Sequence, residues 1–327
     1  MKSQVIFRAD ASKEIGLGHF NRCMVLAKAI HQKFDCYFAA KNPSDSQISE
    51  IHGIFEGVIK LNDDDSHFLQ FLDMLKGTEI VVLDNYYFDS SYQKKIKEKG
   101  CKLICIDDLA DKHFFADAII NHAPGAESFS FDKEPYSKIY GGLNYLMLRE
   151  EFSIIDNKSV AKEKLQNGFI CMGGGDAQNF TLKVIETLEK RLNSVLKLDV
   201  VIGSQNNNRE VLKKVSNSFS EIVFHDHLSA EEMIFLIKKS DFAVVPPSTL
   251  SLECAKIHIP LFLLQTADNQ KRIFEFLIQN QCAMKFEDIG TYNIELGEEM
   301  IKNQAFNFHG SVKENLLAIF EEIENKC

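Results

Sequence analysis

Between a short apolar run and a helical stretch stands Gly16-Leu17-Gly18-His19, two glycines that let a backbone approach a ligand and an imidazole at the mouth of a helix. Imidazole moves protons near neutral pH, and the positive end of a helix dipole favours its uncharged, basic form. The stretch resembles a dinucleotide fingerprint up to the position of its third glycine, where Asn21 stands. That departure argues against a nicotinamide cofactor and leaves His19 as a candidate general base. The plain alternative is a histidine that merely opens a helix.

Three later stretches carry further candidates. In "ICMGGGDAQN" (170–179), Gly173, Gly174 and Gly175 follow a strand and offer successive N–H groups to a phosphate or base, though a tight turn explains them equally well. In "VVPPSTLSLECA" (244–255), Ser248 or Thr249 caps a helix whose apolar stripe is Leu250, Cys254 and Ile257, so Glu253 falls on another face. Helix starts of this kind hold pyrophosphate, and a carboxylate one turn in can accept from ribose hydroxyls. Taken alone, Glu253 would only complement the helix dipole, an effect of about 0.3 to 1 kcal/mol. In "TADNQKRIFEFL" (266–277), the amides of Asn269 and Gln270 either face a ligand or cap the helix that follows. His225 and His227 lack a third metal ligand at sensible spacing, and Asp107-Asp108 reads as a turn cap before it reads as an acid and base pair.

Something must position these groups. Short apolar runs at 5–7, 36–40, 79–84, 102–107, 168–173, 198–203, 241–246 and 260–265 alternate with helical periodicity. That alternation predicts an α/β protein of parallel sheets covered by helices. The rhythm breaks over 150–167 and restarts, which predicts two Rossmann-like domains, 1–155 and 156–327, facing across a ligand cleft. The last helix, from Ser311, has an apolar stripe of Val312, Leu316, Phe320 and Ile323 and reads as scaffold.

The net charge of -10, with basic residues scattered, argues against nucleic acid as a partner. No apolar run reaches the roughly 18 residues of a membrane span, and the opening MKSQVIFRAD shows no leader pattern. Eight cysteines sit mostly in apolar runs without zinc-type spacing, so reduced core thiols, a cytoplasmic location and no metal or cofactor are expected.

Taken in order, "FRADASKEIGLGHFNRC", "LDNYYFD", "IDDLAD", "GLNYLMLREEF", "ICMGGGD", "PPSTLSLECA" and "DNQ" resemble the PseG family, UDP-sugar hydrolases of bacterial pseudaminic acid synthesis. The resemblance implies a MurG-like GT-B fold and metal-free removal of UDP from UDP-2,4-diacetamido-2,4,6-trideoxy-β-L-altrose. It makes His19 the activator of the attacking water and puts Asp10, Gly16, Gly18, Tyr86, Asn269 and Gln270 at the sugar. It puts Gly173, Gly174, Gly175, Leu228, Ser248, Thr249, Leu250 and Glu253 at the nucleotide. Gly175 and Asn85 depart from residues common in the family, and roughly 285–327 extends beyond its shorter members. A GT-B glycosyltransferase, or a nucleotide-sugar binding protein without turnover, would use many of the same residues.

Overall fold

The computed structural model describes residues 2–10, 18–153, 160–173, 175–192, 196–203, 206, 208–215, 221–226, 228–309 and 312–325. Contacts divide the chain into two compact units, Met1–Met147 with Gly310–Cys327, and Leu148–His309.

The first unit is built on strands β1 (Gln4–Arg8), β2 (Asp35–Lys41), β3 (Gly57–Leu61), β4 (Ile80–Leu83), β5 (Lys102–Ile106), β6 (Ala118–Asn121) and β7 (Lys138–Gly141). They form one sheet in the order β3-β2-β1-β4-β5-β6-β7, and every pairing is parallel. Parallel strands need crossovers, supplied here by helices α1 (Gly18–Ile30), α2 (Asp45–Ile51), α3 (His67–Met74) and α4 (Ser90–Glu98). Strands β4 and β6 are buried along their whole length, as strands covered on both faces must be. Helix α1 buries Phe20, Cys23, Met24 and Ala27 against this sheet, the stripe its sequence predicts. The order reverses between β1 and β4, and in open α/β sheets such a switch point is where loops leave room for a ligand.

The second unit repeats the plan. It contains β8 (Asn167–Ile170), β9 (Lys197–Val201), β10 (Glu221–His225), β11 (Phe242–Val245), β12 (Leu261–Leu263) and β13 (Met284–Lys285), with helices α5 (Glu150–Ser153), α6 (Phe180–Leu192), α7 (Arg209–Val215), α8 (Ala230–Lys239), α9 (Thr249–Ile257), α10 (Lys271–Gln279) and α11 (Ile294–Asn307). Its parallel sheet runs β10-β9-β8-β11-β12-β13, with the switch point between β8 and β11. Ile170, Val184, Leu188, Val200, Phe242 and Phe262 lie in its core. Gly168 in β8 is a necessity of packing, because a Cβ there would stand 2.5 Å from the Phe242 ring.

The last helix, α12 (Val312–Glu324), corrects the expected division at 155/156, which left 156–327 as one domain. It belongs to the first unit, where Leu316, Ile319, Phe320 and Ile323 are buried in the same core as α1. The Phe320 ring lies 5.8 Å from that of Phe34, and Tyr140 donates to Glu322 at 2.9 Å. An apolar stripe fixes that a helix must pack but not on which sheet.

Candidate active site

At the switch point of the first unit, the chain leaving β1 carries Asp10, and α1 begins with Gly18 and His19. Gly16 and Gly174 lie outside the described residues, as does His227. His19 is buried at 5% exposure, with its Nδ1 2.7 Å from Oδ1 of Asp84, which directly follows β4. Arg22, one helical turn beyond His19, donates from Nε and Nη2 to the two Asp84 oxygens at 2.8 and 2.7 Å. The same guanidinium reaches Asp108 at 3.3 Å, and Asp108 accepts the Tyr86 hydroxyl, also at 3.3 Å. Tyr86 is half exposed, and its ring meets that of His19 edge-on at 5.0 Å.

The electrostatics follow from burial and charge. Burial alone would raise the Asp84 carboxyl, but the Arg22 charge and the hydrogen bonds from His19 and Arg22 hold it below its usual range. The Tyr86 phenol is pushed up to about 12, first by burial and then by Asp108, so it stays a donor. His122, buried just after β6, is pushed down to about 4 by burial and by Arg22. It accepts the Met147 N–H at 3.3 Å through Nδ1.

Asp10 lies beside this cluster but is consumed by the protein. Arg8 donates to both its oxygens at 2.6 and 3.0 Å, Lys41 N–H gives a third bond at 2.7 Å, and the Tyr87 hydroxyl a fourth. Burial would raise its carboxyl, and Arg8 with Tyr87 and Lys41 brings it below the usual value. Asn85 pins the same loop by accepting the Asp10 N–H at 2.6 Å. Asp107, as its sequence suggests, caps a turn by accepting from Leu109 and Ala110.

In the second unit, the loop after β8 passes through Gly173 at a φ of +92°, a backbone conformation that favours glycine. Among the described residues, and chain neighbours aside, no atom lies within 4 Å of where a Cβ would stand on Gly173 or Gly175, which leaves the backbone open to close approach. The following helix end is not open. Asp176 accepts the Phe180 and Thr181 N–H groups at 2.6 and 3.0 Å, placing a carboxylate at the start of α6. Helix α9 differs. After Pro246-Pro247, the Ser248 N–H is met by the Ser251 hydroxyl, while among the described residues no acceptor meets the N–H groups of Thr249 and Leu250. First-turn N–H groups without partners are what an anion would occupy.

Glu253 lies in α9, buried at 3% exposure, and accepts from Arg149 Nε and Nη2 at 2.8 Å each. The Arg149 guanidinium stacks 4.7 Å over the Phe152 ring. Gln270 spends its amide locally, accepting from Thr266 and Ala267 N–H and donating to the Thr266 hydroxyl, which is the capping alternative. The Asn269 side chain lies outside what the structure describes. Leu228 is half-buried between β10 and Ser229, the N-cap of α8. His225 pairs with Asp199 at 2.6 Å, and among the described residues no group of three or more His, Cys, Asp or Glu could hold a metal ion. No helix among them is long and apolar enough to cross a membrane.

Sequence reasoning singled out His19, Tyr86 and the 248–250 turn but not the groups that the structure sets against His19 and Glu253, namely Arg22, Asp84 and Arg149. Arg22 had a signal, since a residue three positions after His19 shares its helix face. The partner across the sheet had none.

Two parallel α/β units of this kind make up the GT-B fold. MurG of Acinetobacter baumannii superposes with a TM-score of 0.68 at 13% identity, covering 98% of this chain and 100% of that one. Staphylococcus aureus MnaA, solved with UDP, gives a TM-score of 0.65 at 12% identity, covering 99% and 97%. No family model matches the chain. Among relatives by sequence, the UDP-2,4-diacetamido-2,4,6-trideoxy-beta-L-altropyranose hydrolase of Campylobacter jejuni is 30% identical over 289 residues, 87% of this chain and 99% of that protein. The spore coat polysaccharide biosynthesis protein SpsG of Bacillus subtilis is 23% identical over 265 residues, 80% of this chain and 77% of that one. The chain belongs to the family of the Campylobacter hydrolase.

Proposed function

We propose that the chain hydrolyses a UDP-linked 2,4-diacetamido-2,4,6-trideoxy sugar to UDP and free sugar, the reaction named for its Campylobacter relative, as a step of pseudaminic acid biosynthesis. A water oxygen attacks the anomeric carbon, its proton passes to the His19 imidazole, and the C1–O bond breaks with its electron pair leaving on UDP. A single displacement of this kind inverts the anomeric centre. The diphosphate rests on the Thr249 and Leu250 N–H groups and the Gly173 and Gly175 backbone, partial positive charges that serve in place of a metal ion. Leu228 faces the uracil and Glu253 the ribose, while Tyr86 and Asn269 line the sugar. Asp10 fixes its own loop through Arg8, Lys41 and Tyr87, and Gln270 its own turn through Thr266 and Ala267.

The observation that carries the reading is the buried His19–Asp84 pair at the switch point, an imidazole held by a carboxylate. The test is incubation of the UDP-sugar with enzyme and no acceptor, following free UDP by chromatography, with and without EDTA. UDP release indifferent to EDTA is expected, and His19→Ala should lower kcat by about 10²-fold or more with little change in UDP affinity. No release without an acceptor would favour sugar transfer, and binding with no turnover at all would leave a nucleotide-sugar binding protein.

A further inference from the structure

We infer that Asp84 and Arg22 are positioning residues for His19: Asp84 fixes the ring as the Nδ1–H tautomer so that Nε2 is the basic nitrogen, and Arg22 keeps the Asp84 carboxylate ionised and fixed in plane. This rests on the hydrolase reading above and goes beyond it, since that reading needs a held imidazole but does not say which nitrogen acts or what Arg22 contributes.

The geometry favours one assignment of protons, the one that sets a donor rather than a lone pair against the carboxylate at the shorter contact. An ionised carboxylate only accepts hydrogen bonds, so the proton between Asp84 Oδ1 and His19 Nδ1, 2.7 Å apart, is on the nitrogen. Arg22 Nη2 stands 2.8 Å from Nδ1 and 2.7 Å from Oδ1. Because Nδ1 already carries hydrogen, the guanidinium donates to the oxygen, and both N–H groups converge there. Nε of Arg22 takes the other oxygen at 2.8 Å, and this two-pronged grip sets the carboxylate plane. The guanidinium is anchored in turn by Asp108, and the Tyr86 ring closes the edge of the imidazole.

The other titratable neighbours add no charge near neutral pH. His122 is held neutral, and burial keeps the Cys23 thiol protonated. Among the described residues, the charges around the ring are therefore Asp84, Arg22 and Asp108. Four segments supply the cluster: the start of α1, the turn after β4, the turn after β5 and the residue after β6. Arg22 also explains why the carboxylate does not take the proton itself, because a neutral Asp84 would leave the guanidinium with only its longer contact to Asp108.

Two measurements on the full chain test this. In 15N-histidine spectra of the wild-type enzyme, with the His19 signals assigned by their loss in His19→Asn, Nδ1 should be protonated and Nε2 bare, and the opposite tautomer overturns the inference. In turnover assays, Asp84→Asn should lower kcat by about 10²-fold or more while KM stays within about threefold, and Arg22→Lys, which keeps the charge but not the fork, should lose about tenfold. A folded Asp84→Asn enzyme with kcat within about threefold of wild type overturns the inference while leaving the hydrolase reading intact, provided His19→Ala is inactive. Wild-type turnover by His19→Ala would instead sink the reading of His19 as base. Should Asp84→Asn fail to fold, the wild-type tautomer decides.

Discussion

Glu253 has two possible duties, and one substitution separates them. Its carboxylate is almost fully buried and takes two N–H bonds from Arg149, yet a carboxylate has room for further donors such as ribose hydroxyls. Glu253→Gln keeps the volume and removes the charge. Breaking a fully buried pair costs about 3 to 5 kcal/mol and an exposed one about 0 to 1. The Arg149 side chain is 32% exposed against 4% for Glu253, so the guanidinium stays partly hydrated when the charge opposite it is removed. An intermediate loss of about 2 kcal/mol on unfolding of the second unit follows. If the carboxylate also holds ribose, losing that charged bond costs about 1 to 3 kcal/mol of binding, which raises the Kd for UDP by roughly 5- to 150-fold. Calorimetric titration with UDP and urea unfolding, run in one buffer on Glu253→Gln and on Arg149→Gln, read the two effects apart. A destabilised Glu253→Gln protein that binds UDP as tightly as wild type would refute the ribose contact and leave the residue as a clamp on Arg149.

Other predictions follow from the same structure. Phe320→Ala removes a fully buried ring of α12 and should destabilise the first unit by about 3 to 5 kcal/mol; an unchanged unfolding profile would contradict the placement of α12 beside α1. UDP affinity of the folded Phe320→Ala protein should stay near wild type, because the candidate diphosphate contacts all lie in the second unit. Stability should also fall with acid. His67 and His122 are held near 4, against an ordinary 6.5, by burial and by the charges of Arg8 and Arg22 respectively. Their folded values are depressed, so as pH drops from 6.5 to 4 the unfolded chain takes up protons that the fold refuses. Their contribution is complete above 6.5 and is lost through that window, up to about 3 kcal/mol for each ring. Asp10 and Asp84, also depressed, add a loss of the same sign at still lower pH. Urea midpoints that do not move between about pH 7 and about pH 5 would contradict buried neutral histidines.

The sequence by itself determined the features that short-range physics controls. Runs such as EIVVLD and DFAVVP became β4 and β11, and the stripe Phe20, Cys23, Met24, Ala27 became the buried face of α1, because burial on a strand or helix is written in a local period. Weaker strands escaped. The chain of β3, GVIKL, is a half-exposed edge, and β6 is only the four residues AIIN. The turn at 248–250 was legible because prolines followed by Ser-Thr end a strand and start a helix whatever surrounds them. The PseG resemblance supplied the chemistry that composition and spacing left open.

Tertiary structure decided the pairings. His19 and Asp84 are 65 positions apart, and Glu253 and Arg149 are 104 apart. The first pair meets because β1 lies beside β4 in the sheet, a neighbourhood set by crossover packing over the whole unit. Asp10 looked available in the sequence because nothing local announces that Arg8, Lys41 and Tyr87 converge on it. The same holds for α12, whose stripe demanded a partner and found it on α1, near the other end of the chain. A local pattern can state that a side chain needs a hydrogen bond or an apolar cover; which distant group provides it depends on the sheet order, and that is fixed only when all the layers pack together.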